Sequence, residues 1–115
     1  MRKRLYAIVK GHPKQRRVRH YVGLPPRLTE GEDRRHELPL AKAIVLEETS
    51  NGVYLYRYAG NGEFAGETWH LTIADAEHQA AYEFAESLEE WHDVPESEDA
   101  RPFVLRELGL TDYDA

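Results

Sequence analysis

Residues 43–71 read AIVLEETSNGVYLYRYAGNGEFAGETWHL. Three β-rich runs, 43–48, 53–59 and 64–71, are separated by two Asn-Gly pairs, Asn51-Gly52 and Asn61-Gly62. Asn-Gly between alternating apolar runs is a strong short-range hairpin signal, because both residues tolerate the positive φ of a type I′ turn. Two such turns in succession predict a three-stranded antiparallel meander. Side chains alternate between faces along a strand, so the register set by the turns decides which residues share a side. With two-residue loops at both Asn-Gly pairs, Tyr58 lies opposite Val45 and Ala65, and Tyr54 lies opposite Trp69. One face then gathers Val45, Tyr54, Tyr56, Tyr58 and Trp69, interrupted by Glu47 and Glu67. The other gathers Ile44, Leu46, Val53, Leu55, Ala59 and Phe64, with Arg57, Glu48 and His70 toward its margins.

Downstream, Thr72-Ile-Ala-Asp75 has the form of a capping box with aspartate replacing glutamate. Ile73, Ala76, Ala80, Phe84, Leu88 and Trp91 then fall at helical spacing, which predicts one amphipathic helix over about 73–92, ended by Pro95. Its apolar face seats on the aliphatic face of the meander. Glu86, Glu89 and Glu90 crowd the negative end of that helix dipole, an unfavourable placement. Glu77 falls within the stripe and needs a partner, for which Arg57 is the candidate. Arg101–Leu110 reads as a short helix or an added strand, and residues 111–115 as a loose tail.

Upstream, Leu5–Val9 and Arg17–Val22 are β-rich and extend the sheet, as a hairpin if they pair. Residues 24–40 carry three prolines and no periodicity, the pattern of an internal loop. The fold class expected is a single α+β domain over 1–115, a meander extended by N-terminal strands and packed on one helix. At 115 residues the chain has enough surface to bury one modest core.

The absence of cysteine excludes disulfides, thiolate zinc sites and cysteine nucleophiles. The apolar run after the basic start is too short for a secretion signal, and no stretch reaches membrane-spanning length. The expectation is a cytoplasmic protein with no membrane partner. The net charge of −6 conceals a segregation: residues 1–27 hold nine Lys/Arg and no acid, whereas 74–100 hold ten acids and no Lys/Arg.

Three functions compete on these residues. The preferred one is a small non-catalytic interaction module that binds a protein partner or itself, using the Tyr54, Tyr56, Tyr58 and Trp69 face and charge-complementary surfaces. Tyr and Trp give large contact area at low entropic cost. A plainer reading of that face has it covered by the N-terminal strands, by 24–40 or by residues 103–108, since open patches of this size are rare on monomers. The second function is RNA or DNA binding by the basic segment 1–27, with Arg16, Arg17 and Arg19 on phosphates. Against it, those arginines can pair with Glu83, Glu86, Glu89 or Glu90 within or between chains. The third is a metal-dependent or hydrolytic enzyme centred on His70, Glu77 and His78. The six histidines form no i, i+4 pair and no HExxH, none of the three serines sits in a nucleophile elbow, and no phosphate-binding glycine loop occurs. No cofactor and no resident metal are therefore expected.

Overall fold

The computed structural model describes residues 3–10, 21–22, 36–37 and 39–109. In chain order the elements are β1 (Arg4–Ile8), β2 (Tyr21–Val22), β3 (His36–Glu37), β4 (Ala41–Thr49), β5 (Gly52–Ala59), β6 (Phe64–His70), α1 (Ile73–Phe84), a 3₁₀ turn (Ala85–Ser87), β7 (His92–Asp93) and α2 (Ala100–Glu107). Five strands form one antiparallel sheet in the order β6-β5-β4-β1-β7, and β2 pairs with β3 separately. The meander of β4, β5 and β6 is therefore present, in an α+β fold. Arg16, Arg17 and Arg19 and the tail 111–115 lie outside the described residues, as does most of the loop at 24–40.

Among the described residues the two N-terminal runs do not pair with each other. β1 inserts between β4 and β7, while Tyr21–Val22 pairs with His36–Glu37. The reason lies in β1 itself. Ala7 faces one core and Tyr6 the other, and both are buried; a strand apolar on both sides belongs inside a sheet that is covered on both faces.

Both turns differ from the two-residue Asn-Gly geometry. In the first, Ser50 and Asn51 take the corner and Thr49 pairs with Gly52. Thr49 closes it, its hydroxyl donating to Gly52 O at 2.9 Å and accepting from Asn51 N at 3.2 Å. The positive φ falls on Gly52 (+135°) and not on Asn51, so the turn is not type I′. The Trp69 ring lies across this glycine: a Cβ at Gly52 would stand 2.5 Å from Trp69 Nε1. Moving the corner back by one residue slides the pairing by two. Tyr58 faces Ala43, Tyr56 faces Val45 and Tyr54 faces Glu47, in place of Tyr58 against Val45. A slide of two preserves the side-chain alternation, so the tyrosines keep their face.

At the second turn the loop holds three residues, Gly60–Gly62, bracketed by Ala59 N donating to Glu63 O at 2.8 Å. Asn61 Oδ1 accepts from Glu63 N at 3.0 Å, and Gly62 takes φ +87°. The extra loop residue places Phe64, not Ala65, opposite Tyr58. A β-bulge follows at Ala65-Gly66 against Arg57, with Gly66 at φ +114°. It adds one residue to β6 and restores Tyr54 opposite Trp69 as the alternation predicts. Phe64 is consequently on the tyrosine face, half-exposed, and not on the aliphatic face.

Each face of the sheet carries a helix. On one side α1 sets Ala76, Ala80 and Phe84 against Ile44, Leu46, Val53 and Leu55. Thr72 caps it, its hydroxyl accepting from Asp75 N at 3.1 Å. The helix stops at Phe84, well short of residue 92. Ala85 turns out of it at φ 47°, and the chain then runs beside β1. There Lys10 N donates to Ser87 O, Glu89 N to Ile8 O and Val94 N to Arg4 O, at 2.7–2.9 Å. The free edge of β1 offers this segment backbone partners, whereas a longer helix would gather Glu86, Glu89 and Glu90 at its negative end. Trp91 still packs against the α1-side core, from an extended segment. On the other side α2 sets Val104 and Phe103 over Tyr6, Val45 and Tyr58. This settles residues 101–107 as helix and adds a second helix to the single one expected.

Candidate interaction face

The tyrosine face is a grid of three rows. Reading from β4 through β5 to β6, the rows are Glu47, Tyr54, Trp69; then Val45, Tyr56, Glu67; then Ala43, Tyr58, Phe64. α2 covers the third-row end. Tyr58 is 8% exposed and Val45 fully buried, and Phe103 meets the neighbouring Tyr6 edge to face at 5.3 Å. Cover by 103–108 is thus realised, though only for part of the face. Tyr54 and Tyr56 remain half-buried, stacked on each other at 5.9 Å with their planes 19° apart. Trp69 is 50% exposed and Phe64 49%. The Trp69 indole N–H donates to Asn51 O at 3.1 Å, which orients the ring over the first turn.

The electrostatics of the face come from Glu47 and Glu67, which flank the tyrosine pair on opposite sides. Neither has an ion-pair partner among the described residues. Burial pushes the Tyr56 hydroxyl above its ordinary range, and the negative charges of Glu47 and Glu67 push it further. The Tyr58 hydroxyl is also raised, chiefly by burial, with Arg101 acting in the opposite sense.

Beneath α1 lies a second polar group. Arg57 is 1% exposed; its Nε donates to Glu83 Oε1 at 2.9 Å and its Nη2 to Glu83 Oε2. Nη1 donates to Leu55 O and Nη2 to Thr68 Oγ1, both at 3.2 Å, and Gln79 donates to Glu83 Oε2 at 2.7 Å. The partner of Arg57 is therefore Glu83 and not Glu77, which is only half-buried. Glu83 stands seven residues after Ala76 and next to Phe84, squarely over the sheet. The helical spacing contained that signal, but the choice between Glu77 and Glu83 turns on which stripe the sheet receives.

His70 closes this network, with Nε2 2.7 Å from Thr68 Oγ1. His78 is exposed, and no three His, Asp or Glu side chains converge on one point among the described residues. The imidazole of His70 is held below its ordinary value of 6.5, first by burial and then by the Arg57 charge, against the opposing pull of Asp75 and Glu83. Folding thus favours neutral His70. Its contribution to stability is intact above the unfolded-state value and is lost as pH falls through 6.5 toward the folded-state value. NMR titration should place the His70 midpoint below 6.5; a midpoint at or above it would show that burial and the Arg57 charge together do not outweigh Asp75 and Glu83.

Of the basic segment, two described residues contact the rest of the fold, while Lys3 is exposed. Lys10 Nζ meets Glu89 at 3.3 Å, and Arg4 Nη2 donates to Pro95 O at 2.8 Å and Glu96 O at 3.3 Å. Among the described residues no helix is long and apolar enough to cross a membrane. No family model, no curated protein and no solved structure matches the chain.

Proposed function

We propose that this chain is a small, non-catalytic, cytoplasmic interaction module, binding a protein partner or a second copy through the part of the tyrosine face that α2 leaves open. The observation carrying this reading is the aromatic strip of Tyr54, Tyr56, Trp69 and Phe64 on a strand pair whose other end is sealed by a helix. Rigid sheet-borne aromatics contribute contact area without a large ordering cost. Arg4 donates to the carbonyls at 95 and 96, which makes that one cation a poor candidate for a phosphate contact.

The double substitution Tyr54→Ser/Trp69→Thr should abolish self-association in sedimentation equilibrium, or binding of a purified partner. Leu71→Ser, at a residue 69% exposed elsewhere, should change neither. Association that survives the double substitution would sink the proposal, as would a hydrolytic turnover lost on His70→Ala.

A further inference from the structure

The open face has a chemistry of its own. Its aromatic rings are interleaved with carboxylates: Glu47 is directly opposite Tyr54, and Glu67 directly opposite Tyr56. Among the described residues Arg4 and Arg101 border the face, and both have partners. Arg4 lies across from Glu47 on β1, but its guanidinium donates to the carbonyls of Pro95 and Glu96. Arg101 at the Tyr58 end donates to Gly62 O at 3.0 Å. Neither carboxylate forms an ion pair among the described residues, and both stand beside π faces that attract cations through their quadrupole.

β6 is the outermost strand of the sheet among the described residues, seven residues long against two for β7 at the other edge. An extended segment laid along it would find both main-chain partners and the aromatic grid. The charge on that edge selects among occupants. In an antiparallel pairing of β6 with its own copy about its middle, two Glu67 carboxylates would face each other, and like charges directly opposite are destabilising. A basic strand meets the opposite condition.

Resting on the interaction-module reading, we propose that the occupant of this face is an extended, arginine- or lysine-bearing segment of a partner protein. A cationic side chain of that segment lies on Tyr54, Tyr56 and Trp69 between the carboxylates of Glu47 and Glu67. The rings supply a flat seat for a guanidinium, the carboxylates fix its position, and the free strand edge aligns the main chain. The raised Tyr56 hydroxyl agrees with this, because both carboxylates already act at that ring.

Calorimetric titration of the whole chain with a short peptide of alternating arginine and serine tests the proposal, with glutamine–serine and glutamate–serine peptides as counterparts. The arginine peptide should bind, more weakly as salt rises, while the other two bind on the order of tenfold more weakly or not at all. Glu47→Gln/Glu67→Gln, isosteric changes at positions without ion pairs, should lower arginine-peptide affinity on the order of tenfold at unchanged melting temperature. Binding should also shift the Trp69 indole N–H resonance. The proposal is overturned if no peptide binds, if the glutamine peptide binds equally well, or if the double variant keeps full affinity. The interaction-module reading fails separately, when Tyr54→Ser/Trp69→Thr leaves association intact. Association that depends on Tyr54 and Trp69 but ignores Glu47 and Glu67 sinks only the cationic occupant.

Discussion

Glu83→Leu will destabilise the protein by about 3–5 kcal/mol, because it leaves the Arg57 guanidinium buried without its carboxylate. Arg57 is 1% exposed and Glu83 7%, so water cannot replace the lost partner without opening the packing of α1 on the sheet. The remaining acceptors, Leu55 O and Thr68 Oγ1, are neutral and reach Nη1 and Nη2 but not Nε. For a domain of this size the loss is a large part of a total stability of about 5–15 kcal/mol. Replacing both partners, as in Arg57→Met/Glu83→Leu, removes the charge as well as its counter-ion and should recover most of the loss. Urea unfolding of the single and double variants decides the matter. A single variant within about 1 kcal/mol of the parent would mean that the pair is solvated in solution and comparable to an exposed ion pair.

The second large effect is expected at α2. Val104→Asp will cost about 1.5–3 kcal/mol from lost apolar burial, before the desolvation of the new carboxylate is counted. Val104 is fully buried, and it packs in a hydrophobic cluster with Tyr6, Val45 and Tyr58, which offers an aspartate no cationic side chain of its own. α2 is a short element of eight residues, and detaching it is an alternative to bearing the full penalty. The cost should accordingly be capped, with the sheet and α1 retained. Hydrogen exchange should show loss of protection at 100–108, while β4, β5 and α1 keep theirs. The released face would expose Tyr58 and Val45 and extend the aromatic strip, so binding of a hydrophobic dye should rise. Global unfolding in place of local release would show that α2 is integral to the sheet.

The legibility of this fold in its sequence followed the range of the interactions involved. The meander was readable, since Asn-Gly punctuation and two-residue alternation act over a few neighbours. The Thr72 cap was readable for the same reason. The tyrosine face survived two misplaced turn corners: the first slid the register by an even number, and at the second the bulge at Ala65-Gly66 cancelled the extra loop residue. Phe64 and Ala65 lie between the loop and the end of that bulge, where the cancellation is not yet complete, and so Phe64 takes the place opposite Tyr58 that the pattern gave to Ala65.

Tertiary structure decided what local pattern could not. The helix pattern ran unbroken through Leu88 and Trp91, yet α1 ends at Phe84, because the free edge of β1, from the opposite end of the chain, competes for the backbone of residues 87–94. Arg57 could pair with any acid on the helix face, and the seating of α1 chose Glu83. Whether the tyrosine face was open or sealed depended on an eight-residue helix whose own sequence allowed helix or strand. Burying Val104 and Phe103 against Tyr6, Val45 and Tyr58 selected helix, with Tyr56 at the margin of that cluster and Tyr54 and Trp69 outside it. Turn chemistry and side-chain alternation are properties of neighbouring residues and are written in the sequence. The end of a helix, the partner of a buried charge and the cover on a face are settled by segments far apart in the chain competing for the same surface.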